Sequence, residues 1–335
     1  MLYPWQGEDW RRLNAERERM PGAWLLTGGA GIGKLAFAEH LAQSLLCENP
    51  QAGHQPCGQC QGCRWFLSGT HPDFRRLSPY SDEDEEGKEA KPTRKLPQIK
   101  IEAVRDVIDF AHLTAHRAGQ RVILLEPAES LNLAAANALL KILEEPPASV
   151  LFLLVSHAPQ RLLPTILSRC RRFALTRPAE AVARDWLREQ GIANAEVELA
   201  HNGGAPLFDH DPEQAALRAQ FIRSLGQPSF AGMLQMAELV DKNKQLSLQP
   251  PLSWLQKWLH DLAALCLAGR LRYYPDQEAA LAALAARCDM RQLMACQQAL
   301  TALAPFAEHT LNIRLQLESV LMDYLKIFAG AKAGS

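Results

Sequence analysis

A chain of 335 residues is longer than one ordinary hydrophobic core supports, so two or three domains are expected. Apolar residues at 47% and charged residues at 22% exclude a disordered or fibrous chain, and a net charge of −1 argues against capture of nucleic acid by charge alone. No run approaches the ~20 apolar residues of a membrane span. The start, Met1-Leu2-Tyr3-Pro4-Trp5, lacks the basic-then-apolar form of a signal peptide. A cytoplasmic protein is therefore expected, in which eight cysteines stay reduced and a cluster of them points to metal.

In chain order, residues 6–20 read as a charged helix. Ala23-Trp24-Leu25-Leu26-Thr27 is a short apolar run ending at glycines, which predicts a buried strand, and a helix is predicted from about Gly33 to Leu46. A cysteine-rich loop occupies 47–63. His71-Pro72-Asp73-Phe74 leads into another short strand. Residues 80–97, with the acidic run Asp82 to Glu86, predict a solvated loop, because like charges repel and bury nothing. A helix is expected over Ile101–Ala115, a buried strand over Arg121–Leu125, and a helix from Leu133 to Glu145. Asn132 caps that last helix and Pro146-Pro147 stops it. Val150–Val155 is a further apolar strand. Strands alternating with helices predict an α/β fold with a mainly parallel sheet covered on both faces. Beyond about Arg177 only helical periodicity remains. Trp254, Trp258, Leu262 and Leu265 recur at helical spacing, the stripe an amphipathic helix buries.

Gly28-Gly29-Ala30-Gly31-Ile32-Gly33-Lys34 fits the phosphate-loop pattern, placed after a strand and opening a helix. Backbone N–H groups of such a loop curl around phosphates, and Lys34 would reach the terminal ones. Gly28, Gly31, Gly33 and Lys34 are thus the candidate nucleotide-binding residues. Leu35 stands where a Ser or Thr hydroxyl would hold Mg²⁺. At the end of the next central strand, Glu126-Pro127 stands where Asp-Glu would hold metal and orient the attacking water. Phosphoryl transfer depends on such positioning, so the double loss argues against turnover and leaves binding of ATP or ADP without hydrolysis open. Cys57-x-x-Cys60-x-x-Cys63, preceded by Cys47, supplies the four thiolates of a closed structural zinc site. His54 and His71 are read as exposed loop residues nearby, and Cys170, Cys266, Cys288 and Cys296 as packed side chains.

The run Asn137-Ala138-Leu139-Leu140-Lys141-Ile142-Leu143-Glu144-Glu145-Pro146-Pro147, followed by Ser168-Arg169-Cys170, closely resembles the bacterial clamp-loader family of DNA polymerase III, within the AAA+ proteins. Tyr3-Pro4-Trp5, the glycine loop and the cysteine cluster match it in order. The resemblance implies a zinc ion on the cysteines. It also implies an AAA+ P-loop domain over 1–177, a small helical lid over 178–207 and a helical collar for oligomerisation over 208–335. It implies that Arg169 reaches into the nucleotide site of a neighbouring subunit. The motor (tau/gamma) subunits of that family keep both the hydroxyl and the Asp-Glu pair that this sequence lacks. The expected role is therefore a stator in a hetero-oligomer. Its partners would be the tau/gamma and delta subunits and, through the assembly, the beta sliding clamp and primed DNA. Two other readings are an autonomous ATPase using Glu126 and Glu129 as surrogate carboxylates, and a zinc-dependent nucleic-acid-binding module.

Overall fold

The computed structural model describes residues 1–79, 98–113, 119–243, 246–267, 269–304, 307 and 312–329. The chain divides into two compact units, one of Met1–Ala183 with Ala205–Leu207 and the other of Arg184–Gly204 with Phe208–Ser335.

The first unit contains α1 (Gly7–Asn14), β1 (Ala23–Thr27), α2 (Lys34–Leu45), α3 (Gln61–Leu67), β2 (Phe74–Leu77), α4 (Ile101–His112), β3 (Arg121–Leu125), α5 (Leu133–Glu144), β4 (Val150–Val155), α6 (Pro164–Arg169) and β5 (Arg171–Ala174). Its five strands form one sheet in the order β2-β3-β4-β1-β5, and every neighbouring pair is parallel. The three central strands are apolar on both sides, and their alternation sorts side chains between two cores. Leu25, Ile123, Leu125, Phe152 and Leu154 pack with α4, α5 and α6 on one face. Trp24, Leu26, Val122, Leu124, Leu151 and Leu153 pack with α1 and α2 on the other. Each large side chain so buried contributes roughly 1.5–3 kcal/mol. The outer strands β2 and β5 are partly exposed, so only the centre reads as continuous apolar sequence.

The expected α/β fold is therefore present, with shifts at element ends. The first helix is shorter than residues 6–20, spanning Gly7–Asn14 between single turns at Pro4–Gln6 and Arg17–Arg19. The predicted cysteine loop closes into helix before its end: Cys60 caps α3, its Sγ accepting from the Cys63 N–H, and Cys63 lies inside that helix. Asn132 caps α5 by accepting from the Ala135 N–H at 2.8 Å, and α5 stops at Glu144 ahead of the two prolines. The loop expected at 80–97 and the end of the helix expected to reach Ala115 lie outside the described residues.

The second unit is helical: the remainder of α7 (Glu180–Glu189), then α8 (Ala195–His201), α9 (Pro212–Gly226), α10 (Phe230–Lys242), α11 (Gln249–Leu267), α12 (Glu278–Ala285), α13 (Met290–Leu303) and α14 (Ile313–Lys326). The stripe on α11 is core, as its spacing predicted. Trp254, Trp258 and Leu262 are buried and Leu265 packs at the margin. The Trp258 indole N–H donates to Tyr324 Oη at 2.9 Å, and that hydroxyl donates to the Leu225 carbonyl at 2.7 Å. The polar tips of Trp258 and Tyr324 are thus satisfied inside this core.

Candidate functional site

The glycine loop leaves β1 and opens α2, so the backbone has the strand–loop–helix setting that phosphate loops use. It brings Gly28, Gly31, Gly33 and Lys34 together. Its lysine and several of its carbonyls are engaged by the chain itself. The Lys34 side chain is 2% exposed, and its ammonium donates to the carbonyls of Gly28 (2.9 Å) and Gly29 (2.5 Å). Burial lowers the Lys34 amine to about 8, while the charges of Glu129 and Glu126 act in the opposite direction. The N-terminal turn closes one side. Trp5 Nε1 donates to the Ile32 carbonyl and Gln6 Nε2 to the Gly33 carbonyl, at 3.0 and 2.8 Å. On another side the Leu207 N–H donates to the Gly31 carbonyl at 3.0 Å.

Two glycines are required by these approaches. Gly31 (φ +72°) lies where a Cβ would stand 2.5 Å from the Leu207 carbonyl oxygen, and Gly33 (φ +86°) where it would stand 2.6 Å from the Tyr3 ring. A side chain at either position meets both a left-handed backbone and a clash.

The residues that stand where Mg²⁺-holding groups were expected make other contacts. Leu35 offers no oxygen and packs against the core shared by α1 and α2. Glu126, at the end of β3, pairs with Arg76 at 3.3 Å, and the same guanidinium reaches Glu39 at 3.3 Å. Glu129 accepts from the backbone N–H groups of His157 (2.9 Å) and Ala158 (3.2 Å). Glu126 is therefore paired elsewhere, while Glu129 is held through Oε1 and its buried Oε2 has no hydrogen-bond partner among the described residues. Arg76 is the residue that sequence reasoning missed. An arginine pair on an edge strand carries no motif, and only the parallel pairing of β2 with β3 brings Arg76 to Glu126.

Arg169 is remote from this loop in sequence and ends α6. Its side chain is 28% exposed, donating through Nη1 to the Thr165 carbonyl and through Nη2 to Glu144 Oε2, each at 3.1 Å.

The four cysteines form a closed set. The Sγ atoms of Cys47, Cys57, Cys60 and Cys63 all lie within 4.8 Å of one another, with Cys47–Cys60 at 3.8 Å and Cys57–Cys63 at 3.9 Å. A tetrahedron with Zn–S near ~2.3 Å has edges of about 3.8 Å, so the donor set fits a structural zinc ion. Backbone N–H groups of Cys57, Cys60 and Cys63 point at the sulfurs of Cys47, Cys57 and Cys60, at 3.3–3.4 Å, the outer hydrogen bonds that favour thiolate. Without metal the thiols diverge. The N–H groups of Gln59 and Cys60 lower Cys57 to about 6, while burial raises Cys47 and Cys63. His54 is exposed, as expected. His71 is not: it is 2% exposed, and its Nδ1 accepts from the Asp73 N–H at 3.0 Å. The His-Pro-Asp-Phe turn folds the ring inward against Trp65. Among the remaining cysteines, Cys170 and Cys296 are buried, and Cys266 and Cys288 half-buried.

A parallel sheet covered on both faces, with a glycine loop between its central strand β1 and α2, defines a P-loop nucleotide-binding fold, here with its metal-holding groups replaced. Comparison with known proteins narrows the class. Residues 8–179 match the family model described as DNA polymerase III, delta subunit. The chain is 44% identical over 210 residues to DNA polymerase III subunit delta' of Pseudomonas aeruginosa, covering 62% of this chain and 60% of that one. To subunit delta' of Yersinia pestis it is 35% identical over 275 residues, covering 78% and 72%. It is 36% identical over 157 residues to subunit tau of Salmonella typhimurium, covering 47% and 22%. The match with the Pseudomonas protein thus spans less than two thirds of that relative's length. The chain belongs to the DNA polymerase III delta' subunit family of clamp-loader proteins. No described helix is long and apolar enough to cross a membrane.

Proposed function

We propose that this chain acts in the cytoplasm as the stator subunit of a bacterial clamp loader. It does not hydrolyse ATP itself and donates Arg169 to the nucleotide site of a neighbouring motor subunit. The partners under this reading are tau/gamma and delta and, through the complex, the beta sliding clamp and primed DNA. Residues 178–207 serve as the lid and 208–335 as the collar that holds the ring together. The observation that carries the reading is the contrast inside one domain. The chain's own pocket has Leu35, Pro127 and an Arg76-paired Glu126 where hydrolysis needs oxygens and a free carboxylate. Arg169, by contrast, stands at a helix end with part of its guanidinium exposed. Such a guanidinium neutralises charge on the transferring phosphoryl group. The lysine-filled loop supports at most weak binding of ATP or ADP.

Cys47, Cys57, Cys60 and Cys63 would hold zinc in this reading. Bound there, the ion supplies a structural cross-link and no reactive position, since four thiolates complete its coordination. The chain's own residues orient those sulfurs through the N–H groups of Cys57, Cys60 and Cys63.

The test is reconstitution with the motor and delta subunits, the sliding clamp and primed DNA. Arg169→Ala is expected to assemble normally by gel filtration and to lower clamp-stimulated ATP hydrolysis sharply. Unchanged hydrolysis in a fully formed complex would reject the assignment. So would vigorous Mg²⁺-dependent hydrolysis by the chain alone.

A further inference from the structure

Arg169 and Glu144 each end a helix, and each sits one residue from a buried anchor. Leu143 (3% exposed) pins the end of α5 to the sheet and Cys170 (7%) pins the end of α6. Two prolines after Glu145 prevent α5 from running on, so the Glu144 carboxylate is delivered to this edge by the same residues that stop the helix. Its side chain is 61% exposed, and among the described residues it pairs with Arg169 Nη2, at 3.1 Å.

A guanidinium has five N–H donors in a rigid plane. In Arg169 one goes to the Thr165 carbonyl and one to Glu144. The Nε donor is buried and has no partner among the described residues. That leaves one N–H on each Nη for an outside acceptor. An exposed ion pair of this kind contributes little to folding. What it does fix is the orientation of the plane. A long side chain clamped at two of its donors has already lost the rotamer freedom that it would otherwise lose on meeting a phosphate.

We infer that Glu144 is the positioning residue for Arg169: its carboxylate holds the guanidinium plane so that the free edge points off the end of α6 toward the acceptor in the next subunit. The inference rests on the finger reading above and adds a residue to it. Glu144 touches no substrate and acts through the arginine alone.

The experiment is a double-variant cycle in the fully reconstituted loader, with assembly followed by gel filtration. Glu144→Ala should lower the turnover number for clamp-stimulated ATP hydrolysis by roughly tenfold, the scale of a misplaced catalytic group, with KM for ATP and assembly unchanged. Glu144→Gln, which keeps an acceptor oxygen at the same place, should recover most of that loss. The double variant Glu144→Ala/Arg169→Ala should be no slower than Arg169→Ala alone, because the two residues act as one unit. A Glu144→Ala loader within about twofold of wild type, beside an impaired Arg169→Ala loader, would overturn the positioning role and leave the finger standing. Losses that multiply in the double variant would overturn it too. An Arg169→Ala loader as fast as wild type would sink both ideas together.

Discussion

The glycine loop and the edge formed by the ends of α5 and α6 belong to the same sheet domain and hold its two most suggestive cations. In the loop, the Lys34 side chain is buried and its ammonium donates to the carbonyls of its own loop. Tyr3, Trp5, Gln6 and Leu207 approach the loop backbone at Gly31 to Gly33. At the edge, Arg169 keeps donors exposed and has one exposed carboxylate as its side-chain partner. The two cations thus differ in what they meet: the lysine its own backbone, the arginine a carboxylate of another helix. The loop retains the glycines of a phosphate cradle and uses them to admit its own chain, while an arginine in a three-residue motif is the group left facing outward.

That contrast can be broken or sharpened by experiment. The largest effect is expected from stripping metal from the cysteine cluster, since a structural zinc ion is worth on the order of 10 kcal/mol. Chelation should release one zinc per chain and expose the amides of Cys47–Leu67 to hydrogen exchange, while α6 keeps its protection. Equal loss of protection at α6 would show that loop side and edge are not independent. Release should become easier on acidification, because the sulfurs must protonate to let go.

Next comes Arg169→Ala, expected to cost about 10³-fold in turnover at the one site it serves, read as ATP hydrolysis by the assembled complex. A control outside both regions follows. Burial, then the charges of Lys257 and Arg218, lowers His201 to about 2. Below the ordinary value near ~6.5 the unfolded chain takes a proton that the folded His201 refuses, so stability is full above that pH and declines below it. Between about pH 6.5 and 5 this one group should cost about 2 kcal/mol. Denaturant melts of the wild type and His201→Gln should show the acid slope reduced in the variant. The smallest effect is expected at Lys34. Lys34→Met should leave stimulated hydrolysis within about twofold, measured in the same assay. A collapse of activity there would make the loop a working site and end the contrast.

Much of this was legible in the residues. The central strands β1, β3 and β4 are apolar on both faces, so continuous runs announced them, and Asn132 and the two prolines marked the limits of α5. The cysteine spacing foretold a set that closes to within 4.8 Å. The inward turn of His71 and the reach of Arg76 to Glu126 were not legible, because each depends on which segments fold together and leaves no periodic trace.

By itself, then, the sequence determined the parallel α/β domain, the helical remainder, the tetrathiol set and the missing Mg²⁺ oxygens, because hydrophobic period, helix stops and the chemistry of single side chains are local properties. Only the tertiary structure decided which carboxylate each cation meets. Arg76 occupies Glu126 and Glu144 holds Arg169 because helix ends and strand neighbours far apart in the chain are brought within hydrogen-bond reach. An ion pair forms across a few ångströms of space and is blind to the length of chain between its partners.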